Sequence, residues 1–333
     1  MSTYSSNIEN EESDFANIVY NYDWSSTLLG PMESWDISLK NAVNLCLKST
    51  FPIAIAIFPC WIIVHNKAWK QVLKGKHPHV IGKQSKEIFP EAYEIFTSGY
   101  ENVRITGKGT FKTDQLLELQ RDGYAEEAYF SYSYNPIFKS DNSVCAIFIL
   151  AQETTQNVLN TRRLKTLDEL SRRISEAKSL ENTCNVITKV LSDNNADIPY
   201  ALIYFIEHKL NTAFESLIAR LIATTFDYDD EKGWLFPDYI PESPKIIDLA
   251  KDVNKCYNTN PELNFLECDS WPIHSLMKKG DHIKVLLKDG SQAVLLFTTI
   301  SLGESQDLSA ILICGINRRR KLDEKYMEFL KIN

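Results

Sequence analysis

FPIAIAIFPCWIIVHNKAWKQVLKGKHP, residues 51–78, decides how the first half of the chain is read. Ile53–Phe58 and Trp61–His65 are two short β-rich runs around a turn at Pro59, and the spacing turns helical after Asn66, over Ala68–Leu73. The stretch also holds the longest apolar run, Phe51 to Val64. At 14 residues, interrupted by Pro52 and Pro59, it is too short for a membrane helix, which needs roughly 20.

Upstream, Gly30-Pro31 punctuates the chain, and Ser34 is the expected N-cap of an amphipathic helix over 35–48 carrying Trp35, Leu39, Ala42, Val43, Cys46 and Leu47. Residues 1–20 contain Glu9, Glu11, Glu12 and Asp14 and no Lys or Arg, and read as a disordered acidic tail. Downstream, Phe89, Tyr93 and Phe96 mark a second helical zone. Strands then alternate over 110–120, 126–138 and 144–153, with turns at Asp122-Gly123 and Ser140-Asp141-Asn142. Two strands, helices and three strands describe an antiparallel sheet with helices across one face.

The second half opens on helical spacing at Leu164, Leu167, Leu170, Ile174 and Ala177, then a helix after Ser179 with Cys184, Ile187 and Leu191 on one face. Strands are expected over 200–207 and 217–226, with a helix the alternative over the latter. Residues 227–262 read as a long loop with one short element at Ile246–Leu249. A helix over 271–279, strands over 282–287, 291–300 and 308–315, and a helix over 323–331 complete an α, β, closing-helix order.

A length of 333 residues, 44% of them apolar and 24% charged, suits two globular domains. With 36 basic against 44 acidic residues the net charge is −8, which argues against a protein-wide fit to a nucleic-acid backbone. The seven cysteines (46, 60, 145, 184, 256, 268 and 314) are odd in number, widely spaced and free of CxxC pairs, and read as reduced thiols. No basic stretch followed by an apolar one opens the chain, so a cytoplasmic protein with no membrane span is expected.

Several segments together carry a family resemblance. DWSSTLLGPMESW (23–35), residues 51–78 and QLLELQRDGYAEEAYFSYSYNPI (115–137) resemble the PAS sensor region at the front of hybrid sensor histidine kinases. NVLNTRRLKTLDELSRRISEAKSLENTCNVI (157–187) resembles the helical connector into their GAF domain, and CGINRRRKLDEKYMEFL (314–330) that domain's last strand and closing helix. The resemblance spans about residues 21–330 and is weakest between 208 and 290. It implies an α+β chain of two domains, PAS-like then GAF-like, each an antiparallel sheet flanked by helices and joined by a signalling helix. The implied boundaries are a tail at 1–20, a PAS-like domain at 21–155, a connector helix at 156–178 and a GAF-like domain at 179–333 with its final helix cut short. The implied function is a signal-sensing and interaction module of a histidine-kinase phosphorelay. Kinase activity itself is not expected, because no His-Glu-x-x-x-x-Pro box and no glycine-rich nucleotide lid is present.

A sensor must couple a pocket under a sheet to the helix that leaves it, because only differential affinity for two arrangements shifts their equilibrium. The expected pocket wall is Ile53, Ile55, Trp61, Phe89, Phe96, Leu116, Phe130 and Tyr132, with His65 and Asn66 as its polar pair; a filled core is the alternative. No cofactor is predicted; a haem or other small ligand at His65 has nothing further to support it. His77-Pro78-His79 lacks the further ligands of a zinc site and reads as a turn. Arg318-Arg319-Arg320-Lys321 reads as a solvated corner.

Leu164, Leu167, Leu170 and Ile174 form a stripe that either pairs with its twin in a homodimer or packs on its own sheet. The expected partners are an unidentified small molecule, a second copy and a kinase, with no nucleic acid. Two other functions stand beside the sensor: a purely structural dimerisation module, and a thiol- or His-dependent hydrolase or reductase using Cys268 near Asp269 and His274.

Overall fold

A computed structural model describes residues 15–77, 79–121, 123–208, 217–229, 233–249, 256–260, 265–268, 270–301 and 307–331. The chain divides into two compact units, Met1–Val158 and Leu159–Asn333. In the first, α1 (15–20) and α2 (Ile37–Lys48) precede β1 (Ile53–Ile57) and β2 (Ile62–His65). Then come α3 (Lys70–Leu73), α4 (Ser85–Ile88), α5 (Tyr93–Thr106), β3 (Thr110–Arg121), β4 (Tyr124–Phe138) and β5 (Val144–Glu153). The five strands pair antiparallel in the order β2-β1-β5-β4-β3.

The sequence of β1, Ile-Ala-Ile-Ala-Ile, explains the layering. Successive side chains point to opposite faces, yet all five are buried. Ala54 and Ala56 face the core under α3 to α5. Ile53, Ile55 and Ile57 face α1 and α2, against Leu39, Val43 and Leu47. The sheet is thus covered on both sides, a correction to the expectation of helices on one face.

The acidic tail is corrected over its last six residues. Residues 15–20 are helical, Phe15 and Val19 are buried, and Trp24 Nε1 donates to the Val19 carbonyl at 2.9 Å. The rest of that tail, 1–14, lies outside the described residues. The N-cap of α2 is Asp36, which accepts from the Ser38 N–H at 2.8 Å, while the expected cap, Ser34, donates to the Pro31 carbonyl instead.

α6 (Thr155–Ile174) begins in the first unit, and beyond Val158 its residues belong to the second. There follow α7 (Leu180–Ser192), β6 (Ala201–His208), β7 (Leu217–Thr224), β8 (Tyr228–Asp229), β9 (Gly233–Trp234), β10 (Ile246–Asp248), β11 (Cys256–Asn260) and β12 (Phe265–Cys268). The last elements are α8 (Ile273–Lys279), β13 (His282–Leu286), β14 (Gln292–Ser301), β15 (Asp307–Ile316) and α9 (Glu324–Leu330). Eight strands form one sheet, β10-β7-β6-β15-β14-β13-β12-β11, while β8 and β9 pair apart from it.

The second sheet is antiparallel except where β12 runs parallel to β13. β11 falls within the stretch read as loop; its Cys-Tyr-Asn-Thr-Asn sequence has no apolar alternation to announce a strand. Both units are therefore α+β, each an antiparallel-based sheet flanked by helices. Among the described residues no helix is long and apolar enough to cross a membrane.

The stripe on α6 is covered within its own unit. Leu170 is 2% exposed, and Leu167 and Ile174 pack with it against Leu191 of α7 and Tyr326 and Phe329 of α9. Arg162 and Arg163 of α6 also reach the buried Asp197 carboxylate, at 2.9 and 3.5 Å. Of the two expected roles for the stripe, Leu167, Leu170 and Ile174 take the packing within their own unit, with Leu167 and Ile174 half-buried, while Leu164 is 66% exposed. Leu170→Ala is expected to cost about 2–5 kcal/mol of stability and Leu164→Ala no more than about 0.5, read from the protection of α7 amides against hydrogen exchange.

Candidate functional site

The first unit encloses an apolar cavity of about 50 Å³ between its sheet and α3 to α5. Its floor is Ala54 of β1, Ile63 of β2, Leu117 and Leu119 of β3, Phe130, Tyr132 and Tyr134 of β4, and Ile149 and Ala151 of β5. Its roof is Trp69, Val72, Leu73, Ser85, Ile88, Phe89, Phe96 and Tyr100. Two floor positions, Ala54 on β1 and Ala151 on β5, are alanines and leave space that a branched residue would fill. No charged side chain lines it.

One wall carries hydroxyls. Tyr100, Tyr134 and Tyr132 form a row within hydrogen-bonding reach of one another, with Ser85 at the Tyr100 end. Ring centres are 4.9 Å apart from Tyr100 to Tyr134 and from Tyr134 to Tyr132. Gly99 on α5 allows this approach: a Cβ there would lie 2.5 Å from the Tyr134 ring. Burial pushes the ionisation of all three phenols up, so they stay neutral donors and acceptors. A cavity of about 150 Å³ accepts benzene. At 50 Å³ this one holds a xenon-sized guest as it stands, and a ring only if the roof moves.

Of the residues expected at the pocket, the structure brings Phe89, Phe96, Phe130 and Tyr132 to the cavity. The others lie elsewhere. Ile53 and Ile55 are on the opposite face of β1. Leu116 is 38% exposed, and its neighbours Leu117 and Leu119 point in. The reason is a bulge between Lys112 and Gln115 that resets the alternation of β3. Trp61 stands behind the wall, 5.2 Å from the Tyr100 ring.

Asn66 is a backbone brace. Its Oδ1 accepts from Ile53 N and Trp69 N at 3.2 and 3.1 Å, and its Nδ2 donates to the Ser49 and Phe51 carbonyls at 2.9 and 2.6 Å. Those four bonds use its full capacity. His65 is buried with its ring against Phe15 and His77, away from the cavity.

A second feature, at the rim of the sheet, has no local signature in the sequence. The Arg121 side chain, fully buried at the end of β3, is 2.9 Å from Glu126 on β4 and 3.0 Å from Glu153 at the end of β5. It also lies over the Phe130 ring, 5.5 Å from the centroid. Lys74 closes the group on Glu126 at 2.6 Å. Glu153 in turn accepts from Thr155 Oγ1 at 2.8 Å, and Thr155 Oγ1 accepts from the Tyr129 N–H at 3.0 Å. Burial works to raise the Glu153 carboxyl, but the Arg121 hydrogen bonds and charge outweigh it and hold it below the usual range. The first residue of α6 is thereby tied to β4 and β5, two of the strands that form the cavity floor.

Three described thiols are buried and held in the neutral form. Burial pushes Cys46 and Cys314 up to about 12 and Cys184 to about 11, opposite to the activation a thiolate needs. His274 is exposed on α8, and the Cys268 side chain lies outside the described residues. Among the described residues no group of three or more His, Cys, Asp or Glu is placed to hold a metal ion.

No protein-family model matches the chain, and no curated protein matches it. Solved structures do. A sensory box sensor histidine kinase from Vibrio cholerae is 16% identical, over 34% of this chain and 85% of its own, with a TM-score of 0.25. The PAS domain of a protein from Colwellia psychrerythraea is 12% identical, over 35% of this chain and 98% of its own, with a TM-score of 0.29. The GAF domain of an Acinetobacter phosphoenolpyruvate-protein phosphotransferase is 10% identical, over 50% of this chain and 85% of its own, with a TM-score of 0.31. PAS and GAF domains are thus among the solved structures to which this α+β chain is similar.

Proposed function

We propose that the chain is a non-catalytic sensing module of a histidine-kinase phosphorelay. Its first unit admits a small uncharged apolar molecule, and occupancy is relayed through the start of α6. The observation that carries this reading is that the cavity floor and the anchor of α6 share the same strands. On β4, Phe130 and Tyr132 line the cavity and Tyr129, between Phe130 and Ala128, holds Thr155. On β5, Ala151 lines it and Glu153, two residues on, holds both Arg121 and Thr155. A guest that lifts the roof or spreads β4 from β5 therefore changes the geometry at the anchor. Neutral phenols without a lining charge favour a neutral guest over an ion, since an unpaired charge would be desolvated at high cost.

The test is xenon and small-arene binding followed by 129Xe and methyl NMR. Wild-type protein is expected to shift at Ala54, Ile149 and Ala151, and Ala151→Leu, which fills the floor, to abolish the response. Equal shifts in wild type and Ala151→Leu would contradict the reading.

A further inference from the structure

The basic run after β15 is only in part the solvated corner expected of it. Arg318, Arg319 and Lys321 are exposed, but Arg320 is 9% exposed, a correction to that expectation. Arginine is seldom taken so far from water without a use for its charge. A polar cleft of about 160 Å³ adjoins it. Its walls are Asp289 and Gly290 of the turn between β13 and β14, Gln292 at the start of β14, and Asn317, Arg318 and Arg320 beyond the end of β15.

Both walls are braced by their own hydrogen bonds. Asn317 Nδ2 donates to the Ala196 carbonyl at 2.6 Å, and Asn317 Oδ1 accepts from the Arg319 N–H at 2.8 Å. The Arg320 N–H donates to the Asn317 carbonyl at 3.0 Å, so the segment bearing both arginines is held in place. Opposite, the turn is closed by the Leu287 N–H on the Ser291 carbonyl at 2.8 Å. Asp289 Oδ1 accepts from the Ser291 N–H and hydroxyl at 2.9 and 2.6 Å, and its Oδ2 accepts from Arg318 Nη2. Burial works to raise the Asp289 carboxyl, but the Ser291 hydrogen bonds and the Arg318 charge outweigh it and hold it below the usual range.

Two guanidiniums against one carboxylate leave the cleft with surplus positive charge, which draws anions. Guanidiniums match the oxygens of carboxylates and phosphates better than a spherical ion. Phosphate fits better of the two. The polar groups stand on two sides, Gln292 on β14 and the arginines beyond β15. A tetrahedral group offers oxygens to both sides, whereas a planar carboxylate presents its two in one direction. The volume equals that of about five waters, which suits a phosphate with a small substituent.

We propose that this cleft binds the phosphate group of a small molecule, with Arg318 and Arg320 as its cations and Asp289 as the internal anion that the ligand displaces from Arg318. The site is built within the second unit alone and does not rest on the sensing reading.

The test titrates the 15N-labelled full chain with inorganic phosphate, methyl phosphate and acetate at constant ionic strength, following the Gly290, Gln292 and Asn317 amides. Saturable shifts are expected with the phosphates and much weaker ones with acetate. Tighter methyl phosphate marks an ester as the ligand, and tighter inorganic phosphate the free ion. Arg318→Gln, at an exposed position that spares the fold, is expected to weaken phosphate at least about tenfold, the loss of one charge-assisted hydrogen bond. Asp289→Asn keeps an acceptor for the Ser291 N–H and removes the competing charge, and is expected to tighten binding several-fold. No saturable shift with either phosphate, acetate binding as tightly, or unchanged affinity in Arg318→Gln would each overturn the proposal.

Discussion

Arg121→Ala is expected to lower the stability of the first unit by about 3–5 kcal/mol, the usual cost of removing one partner of a buried ion pair. The guanidinium is inaccessible to water and spans two carboxylates, so its loss leaves Glu153 without its main cation and Glu126 with Lys74 alone. The packing on Phe130 goes too. Arg121→Lys restores the charge but not the fork that holds both carboxylates, and is expected to recover only part of the loss. Because two units need not unfold together, the measurement is hydrogen exchange of β3 to β5 amides rather than a single melting curve. Loss of protection is expected to be largest at the Tyr129 and Thr154 amides, which bond to Thr155 Oγ1 and the Tyr129 carbonyl. An Arg121→Ala chain protected as well as wild type would mean that the carboxylates are not held by this residue.

Acidification gives the second large effect. His65 titrates at about 4 in the folded chain against 6.5 for a free histidine, with burial as the main cause. A depressed histidine means that between these values the unfolded chain binds the proton and the folded one does not. The stabilisation is therefore complete above pH 6.5 and lost as the pH falls towards 4. The difference amounts to about 3 kcal/mol. His77, also lowered, acts in the same direction. The depressed Glu153 adds a separate loss at lower pH, below the ordinary carboxylate value of 4.5. His65→Gln is expected to flatten the dependence between pH 6.5 and 4 and leave the carboxylate region unchanged. Identical pH profiles for the two chains would show that His65 takes up its proton alike in the folded and the unfolded chain.

Most elements were legible because their signals are local. Period-two alternation marked β3 to β5 to within two residues, and helical spacing marked α2, α6 and α7. The faces were harder. Bulky Ile53 and Ile55 look like a pocket wall, yet a strand covered on both sides sends its isoleucines one way and its alanines the other, and the void forms over the alanines. Leu116 and Leu117 differ by one position, and the bulge that chooses between them depends on a left-handed residue at Asp114 that no local composition announces. The anchor of α6 joins Arg121 to Glu153, 32 residues away, through burial that only the folded sheet creates. The pairing of His65 with His77, and their cover by Phe15 from a segment read as tail, is likewise long-range.

In the proposed sensing mechanism the cavity and the start of α6 move as one mechanical unit. This coupling is tested most directly by amide hydrogen exchange at Tyr129 and Thr154 with the cavity empty and loaded with xenon or a small arene. Loading is expected to change protection at both amides, and Ala151→Leu, which fills the cavity permanently, to change it in the empty state. A cavity that demonstrably loads while both amides exchange at unaltered rates would contradict it.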